Sequence, residues 1–482
     1  MSTPHIIPSP ALPTADGSEV GSGDRPDDRG GVRASRRRIV GVDVARGLAL
    51  VGMFGAHLLV ASGPGFTLSD PSTWLDIVNG RSSILFALLA GVSLALMTGG
   101  ARNATPDELR TIRLRLVGRG AAIFVIGLVV ELLGSGIAVI LSLYGVLYIL
   151  AAFTVHLRTR VLLIAGGALA ILGPPLLALI GVLSPDQSGP GLSLVLFGTY
   201  PITVWAALLC AGLVIGRLDL TRVKTAVAML VCGGVVAIGG YALGALLALA
   251  QPDAGMSNSS VNSSVSSSSS PFSKSPGEDV DLSGLTCEKG DGIVVCFTPE
   301  KASLFGATGG GDEGQSYVER VASQDPAARM LEAITSVSAH SGGVLEVLAS
   351  GGFAVAVLGL CLILTRYARW VVLPLAAYGA VPLTGYVVQA ILIVAGAATW
   401  LSNPVLPWIA LSLLMMAGAL IWTRTLGKGP LERLTARAAD AMALTTKSTS
   451  KSARKSASTS ITEPTAEPTA EPTAESAAEE AR

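Results

Sequence analysis

Val42-Asp43-Val44-Ala45-Arg46-Gly47-Leu48-Ala49-Leu50-Val51-Gly52-Met53-Phe54-Gly55-Ala56-His57 is an apolar stretch of helical length that carries three ionisable side chains. On a helix, His57 sits about 21 Å beyond Asp43. Asp43, Arg46 and His57 then fall within roughly 60° of one another. One helix face thus carries an ion pair near one membrane surface and an imidazole near the other. Ionisable groups inside a membrane segment are costly, so each marks a functional-site hypothesis.

Working outward, half of the chain is hydrophobic, 14% is charged and the net charge is zero. The apolar residues come in runs, as in a membrane protein, rather than in alternation. The charge balance implies no nucleic-acid partner. No Cys/His array has metal-ligand spacing, and no glycine-rich phosphate loop occurs. The sequence predicts an all-α polytopic membrane protein of about ten spans, near 39–61, 80–98, 119–134, 136–155, 161–183, 199–217, 225–249, 343–365, 371–398 and 405–424. Basic residues cluster in every second connection: Arg36-Arg37-Arg38, Arg102 to Arg119, Arg158 and Arg160, Arg217 to Lys224, Arg366 and Arg369, and Arg424 to Arg433. The positive-inside rule then puts both termini in the cytoplasm of a multi-pass plasma-membrane protein.

This divides the chain into a disordered start (1–37), seven spans (38–250), an extracytoplasmic loop (251–341), three spans (342–425) and a low-complexity tail (426–482) that is expected to be extended. No secretory signal peptide opens the chain, so the first span must supply targeting. The large loop begins with a flexible serine-rich tract, Ser257 to Ser275. Leu285-Thr286-Cys287-Glu288-Lys289-Gly290-Asp291-Gly292-Ile293-Val294-Val295-Cys296-Phe297 then reads as a hairpin around Gly-Asp-Gly. Cys287 and Cys296 would face each other outside the cytosol, where a disulfide persists; two free thiols are the alternative. Cys210, Cys232 and Cys361 fall within spans and read as packing residues.

The topology collects His57, Asp76, Asn79, Arg81, Glu131, Tyr200, His340 and Glu346 near the outer surface. Of four histidines, His5 lies in the disordered start and His156 in an inner basic loop, which leaves His57 and His340 outside. Imidazole suits proton transfer near neutral pH. The plainer readings are an interfacial His57 bonded to a loop carbonyl and an ordinary loop His340. Arg81 fits equally a snorkelling cation and an anchor for an anion or for Glu131. Asp43 and Arg46 fit structural glue or a cofactor-facing pair. Arg102 to Arg119, with Arg113 and Arg115 among them, fit topology determination or a dock for cofactor phosphates.

The opening from Val42 to Met53 resembles the signature of the heparan-α-glucosaminide N-acetyltransferase-like superfamily, which includes bacterial proteins of the YeiB/DUF418 group. Gly80-Arg81-Ser82-Ser83-Ile84-Leu85-Phe86 resembles the second segment of the bacterial members, as does His340-Ser341-Gly342 before a Gly-rich span. Pro382-Leu383-Thr384-Gly385-Tyr386 with Gln389, and Gly429-Pro430-Leu431-Glu432-Arg433, resemble late DUF418 segments. The resemblance implies acyl transfer from cytosolic acetyl-CoA to a sugar outside the cytosol. Lysosomal members place an important asparagine at the spacing that His57 has here, and a catalytic histidine in the first outer loop. Leu58 to Asn79 holds no histidine, so the acid/base role falls to His57 or His340.

The expected function is therefore a transmembrane acyltransferase that uses an acyl-CoA donor and an extracytoplasmic saccharide or glycolipid acceptor. His57 or His340 would be base or acyl carrier. Arg81 with Ser82 or Asn79 would form the oxyanion site, Glu131 or Asp76 would orient an imidazole, and Glu346 is a further substrate-binding or orienting candidate. Asp43, Arg46, Arg113 and Arg115 would serve the donor. A transporter or flippase, and a non-catalytic envelope-assembly protein, are the alternatives. The many small residues in the spans fit a tightly packed monomer and a homodimer equally.

Overall fold

The computed structural model describes residues 38–59, 71–99, 104–134, 138–184, 199–249, 286–290, 293–297, 324–396 and 404–459, with single positions 196 and 321. The expected disorder of 1–37, the serine-rich tract and the end of the tail lie outside the described residues. The helices are α1 (Val40–Leu59), α2 (Arg81–Met97), α3 (Pro106–Glu131), α4 (Leu141–Thr154), α5 (Thr159–Leu183), α6 (Ile202–Ile215), α7 (Val223–Leu249), α8 (Pro326–Thr335), α9 (Val344–Tyr367), α10 (Leu373–Gly379), α11 (Pro382–Val394), α12 (Val405–Thr425) and α13 (Pro430–Thr459). A 3-10 helix, Pro71–Val78, leads into α2.

Each of the ten expected spans contains helix, yet among the described residues only six helices are long and apolar enough to cross a membrane. These are α1, the segment 76–97 containing α2, α5, α7, α9 and α12. The third expected span is not separate. Thr105 and Glu108 form a capping box that starts α3 at Pro106, so the basic stretch is the first half of one 26-residue helix. Helices α4 and α6 have 14 residues each, about 21 Å against a hydrocarbon core of roughly 30 Å. The ninth expected span is broken. Proline disfavours helical backbone in the residue before it; Val381 has φ −125, and α10 and α11 meet at 89°.

Helices α1, α2 and α9 form the centre, half or more buried along their apolar windows; α5, α7 and α12 are 17–22% buried and line the periphery. Ile164, Ile238 and Leu414 on those outer helices are well exposed, as lipid-facing side chains are. Small residues let backbones touch. A Cβ on Gly91 of α2 would collide with the Leu209 carbonyl of α6, and one on Gly212 with that of Leu88.

The hairpin is present as β1 (Thr286–Gly290) and β2 (Ile293–Phe297), antiparallel, with Cys287 opposite Cys296. Their side chains lie outside those described. The tail departs from the extended form expected of it. From Pro430 it is helix, and α13 packs on α3 through buried Thr435, Ala439 and Ala443. Alanine-rich sequence there has high helix propensity and a periodic small-residue face. Glu432 ties this helix down: its carboxylate accepts from the Leu383 and Thr384 backbone N–H groups (2.8 and 3.1 Å) and the Thr384 hydroxyl (2.6 Å). It thereby caps α11 from a distant part of the chain. Glu432→Ala is expected to cost about 1.5–3 kcal/mol and to raise amide hydrogen exchange in both α11 and α13.

Candidate functional site

The site grows from two helix starts that meet. Gly80, at φ 66, turns the chain from the 3-10 helix into α2. There the Ser83 hydroxyl donates to the Gly80 carbonyl at 2.6 Å. A Cβ on Gly80 would stand 3.0 Å from the Ala339 side chain, in the loop between α8 and α9. That loop is folded around one buried carboxylate. Glu346 Oε1 accepts the His340 N–H at 2.7 Å; Oε2 accepts the Gly342 N–H at 2.7 Å and the Ser341 hydroxyl at 3.0 Å. His340 and Gly342 both have positive φ, conformations an L residue adopts only when its surroundings enforce them. The bonds to Glu346 supply that enforcement. Gly80→Ala is expected to destabilise the fold by about 1–2 kcal/mol, with increased proteolysis of the 336–343 loop as its signature.

His57 stands half-buried on the last turn of α1. The second half of that helix packs on the 3-10 helix and the start of α2, where a Cβ on Gly52 would meet Ser82 and Val78, beside the Gly80 turn that touches the loop carrying His340. The two imidazoles, 283 positions apart in the chain, thus belong to one end of the bundle. The protein around His340 lowers its pKa by burial, although one side of the ring stays open; Asp76 acts in the opposite sense. Asn79 donates to Asp76 at 3.1 Å and fixes that carboxylate. The His340 ring packs edge-on against Tyr200, with centroids 6.1 Å apart, and Tyr200 packs on Trp205 at 5.2 Å. A small cavity, mostly apolar, opens here between the starts of α2 and α6, with His340 and Glu346 in its lining.

The other sequence candidates divide. Arg81 is an anchor between helices. Its Nε donates to the Tyr241 hydroxyl at 2.7 Å, its guanidinium covers the Tyr241 ring at 4.9 Å, and Tyr241 bonds to Ser350 at 2.7 Å. Its charge is still felt by Glu346. Glu131 is the exposed last residue of α3 and does not line the cavity. At the other end of α1, Arg46 donates to Asp43 (2.8 Å), to the Gly379 carbonyl (2.8 Å) and to Ser93 (2.7 Å). Asp43 and Arg46 therefore clamp α1, α2 and α10 together. Arg113 donates to the Ala152 carbonyl at 3.2 Å and lies against His156, while Arg115 pairs with Asp440 of α13 at 3.3 Å. Among the described residues no group of three or more His, Cys, Asp and Glu side chains converges as a metal site would.

Sequence reasoning missed Tyr241, Ser350 and Trp205. Each is an ordinary span residue until another helix brings its partner.

A bundle of long apolar helices whose buried charges are paired defines a membrane protein. Residues 38–243 match the family model described as heparan-alpha-glucosaminide N-acetyltransferase, catalytic. Over this segment the chain is similar to the heparan-α-glucosaminide N-acetyltransferase-like family, a family of membrane acetyltransferases. The segment holds His57, Asp76, Asn79 and Arg81; His340 and Glu346 lie beyond it. No curated protein and no solved structure gives a significant match.

Proposed function

We propose that this protein transfers an acyl group, acetyl by family, from cytosolic acyl-CoA to a saccharide or glycolipid outside the cytosol. The observation that carries the proposal is His340 in the lining of a cavity, its backbone N–H held by buried Glu346, in a chain whose residues 38–243 match an acetyltransferase family model. The acceptor's hydroxyl or amine attacks the thioester carbonyl, and its proton passes to His340. The C–S bond breaks, the acyl–O or acyl–N bond forms, and the proton leaves with the thiolate as free CoA thiol. Burial favours neutral His340, the form that can accept a proton at pH 7. Glu346 and Asp76 are its positioning residues. The exposed basic residues at the opposite end, Arg110 and Arg115 among them, attract the donor's phosphates.

The test uses the purified full chain in lipid nanodiscs with [14C]acetyl-CoA and a glycolipid extract of the host envelope. Label is expected in the extract together with an equal amount of free thiol. The rate should be flat above pH about 6.5 and fall below it, because His340 protonates at a pH below the ordinary imidazole value. Absence of both label and thiol would overturn the proposal. The α10–α11 break favours a second reading, since broken helices at membrane depth line substrate paths in transporters. A transporter would move its substrate in the same nanodisc lipids, reconstituted as sealed vesicles, without releasing thiol.

A further inference from the structure

The end of the bundle that holds His340 carries two short helices, the 3-10 helix Pro71–Val78 and α8. Each presents large apolar side chains away from the protein. In a 3-10 helix, positions i and i+3 eclipse, so Trp74 and Ile77, 49% and 39% exposed, stand one above the other. Trp74 lies two residues before the apolar segment 76–97, where an amphipathic indole sits at a membrane–water boundary. On α8, Ala327, Leu331 and Ile334 are exposed, the last two at 48% and 42%. At 100° per residue they share a stripe about 60° wide. Arg329 and Glu332, ion-paired at 3.8 Å, occupy the far side. A helix with one apolar and one charged face lies in the plane of a lipid–water interface.

The neighbours of α8 show what covers its stripe. It packs on α5, whose last residue, Leu183, is exposed. The loop that follows it packs on α7, where a Cβ on Gly244 would collide with Val337, and Leu246 just beyond is exposed. Helices α5 and α7 are the lipid-facing periphery, so the stripe continues their apolar surface to its edge. Both short helices are also fastened to the site. The 3-10 helix carries Asp76 and runs into the Gly80 turn, against Ala339. Ser336, which ends α8, accepts the Glu346 N–H on its carbonyl at 3.1 Å.

We propose that these two helices bed in the headgroup layer of the membrane on the His340 side, and that the site between them takes its acceptor laterally from that layer, as a sugar carried on a lipid anchor. The inference rests on the acyltransfer reading and narrows the acceptor class. A free saccharide gains nothing from the apolar stripes. An anchored one is held beside them by its own chains and meets the open side of His340 at raised local concentration.

The experiment uses the purified full chain in nanodiscs of synthetic phospholipid, part of it bearing a diazirine near the glycerol backbone. After illumination, mass spectrometry is expected to place lipid adducts on Trp74, Ile77, Leu331 and Ile334. Nanodiscs loaded with the host glycolipid extract, or supplied with the water-soluble glycans that mild alkali releases from it, then receive [14C]acetyl-CoA. The lipid-linked acceptor should be at least about tenfold better in kcat/KM, the gain from confinement to one layer. Leu331→Glu with Ile334→Glu should lose the α8 adducts and raise KM for the glycolipid extract about tenfold, the effect of exposing roughly two CH2 groups of an anchor, without a matching fall in kcat. A second copy or another protein seated on the stripes would shield all four residues, and adducts absent from them overturn the proposal. Equal use of both acceptors, or an unchanged glycolipid KM in the double variant, also overturns it; the acyltransfer reading survives each of these results. If neither acceptor takes label and no thiol is released, that reading fails and the anchored acceptor fails with it.

Discussion

Replacing His340 by alanine is expected to lower acetyl transfer by 10²–10⁴-fold, the range general acid–base groups contribute, while the protein still folds. The ring makes few demands on the fold. It is open on one side and rests edge-on against Tyr200. What the loop needs from this residue is its backbone N–H, which Glu346 accepts. His340→Ala keeps that bond, so heat stability should change little while turnover collapses. His57→Ala should also lose transfer, and the double variant should lose little more than the worse single one, since residues that act as a unit are non-additive. Acetyl-CoA turnover and thermal unfolding of the same preparations check both halves. Equal losses in stability and rate would make His340 a packing residue instead.

The largest effect on stability is expected at Arg46. Its guanidinium joins Asp43, Ser93 and the Gly379 carbonyl, and so three helices. Asp43 is 6% exposed. Arg46→Ala removes the cation that pairs with a buried carboxylate, a change that costs about 3–5 kcal/mol. The approach of α10 to α1 sharpens the requirement, because a Cβ on Gly379 would collide with the Asp43 carbonyl. Replacing both charges, as Asp43→Leu with Arg46→Met, should recover most of the loss, since an apolar pair of similar volume avoids the desolvation of two ions. The buried thiols of Cys210 and Cys361 give a direct reading: a thiol-reactive dye should label Arg46→Ala at a lower temperature than the native protein and the double variant. Equal melting of all three would mean that the clamp carries no weight.

What the sequence discloses about this fold is what one helix determines by itself. The Asp43–Arg46 pair and the placement of His57 on the same face follow from helical repeat alone, and the structure has the pair at 2.8 Å. The positions of the apolar segments were legible for the same reason. Their status as full spans was not, because hydropathy averages across a break. Pro382 interrupts the segment 371–398, yet the 89° turn depends on how α10 lies against α1. Arg81 and Arg46 find partners on other helices, Tyr241 and Ser93, which no local pattern connects to them. Glu432 sits in a recognisable motif, but its work is to cap a helix that begins 50 residues earlier. The helix of the tail is not legible in its composition, because low complexity implies no packed core, whereas alanines at helical spacing make a flat face that fits against Gly118 of α3.

The most direct measurement uses sealed inside-out vesicles that hold the native chain and its envelope lipids, with [14C]acetyl-CoA supplied only at the outward-facing cytoplasmic surface. Label should accumulate on glycan or glycolipid inside the vesicles, protected from external glycosidase and base until detergent is added, and His57→Ala and His340→Ala vesicles should accumulate none. Label confined to the outer surface, or undiminished in the histidine variants, would contradict a transfer carried by those two imidazoles.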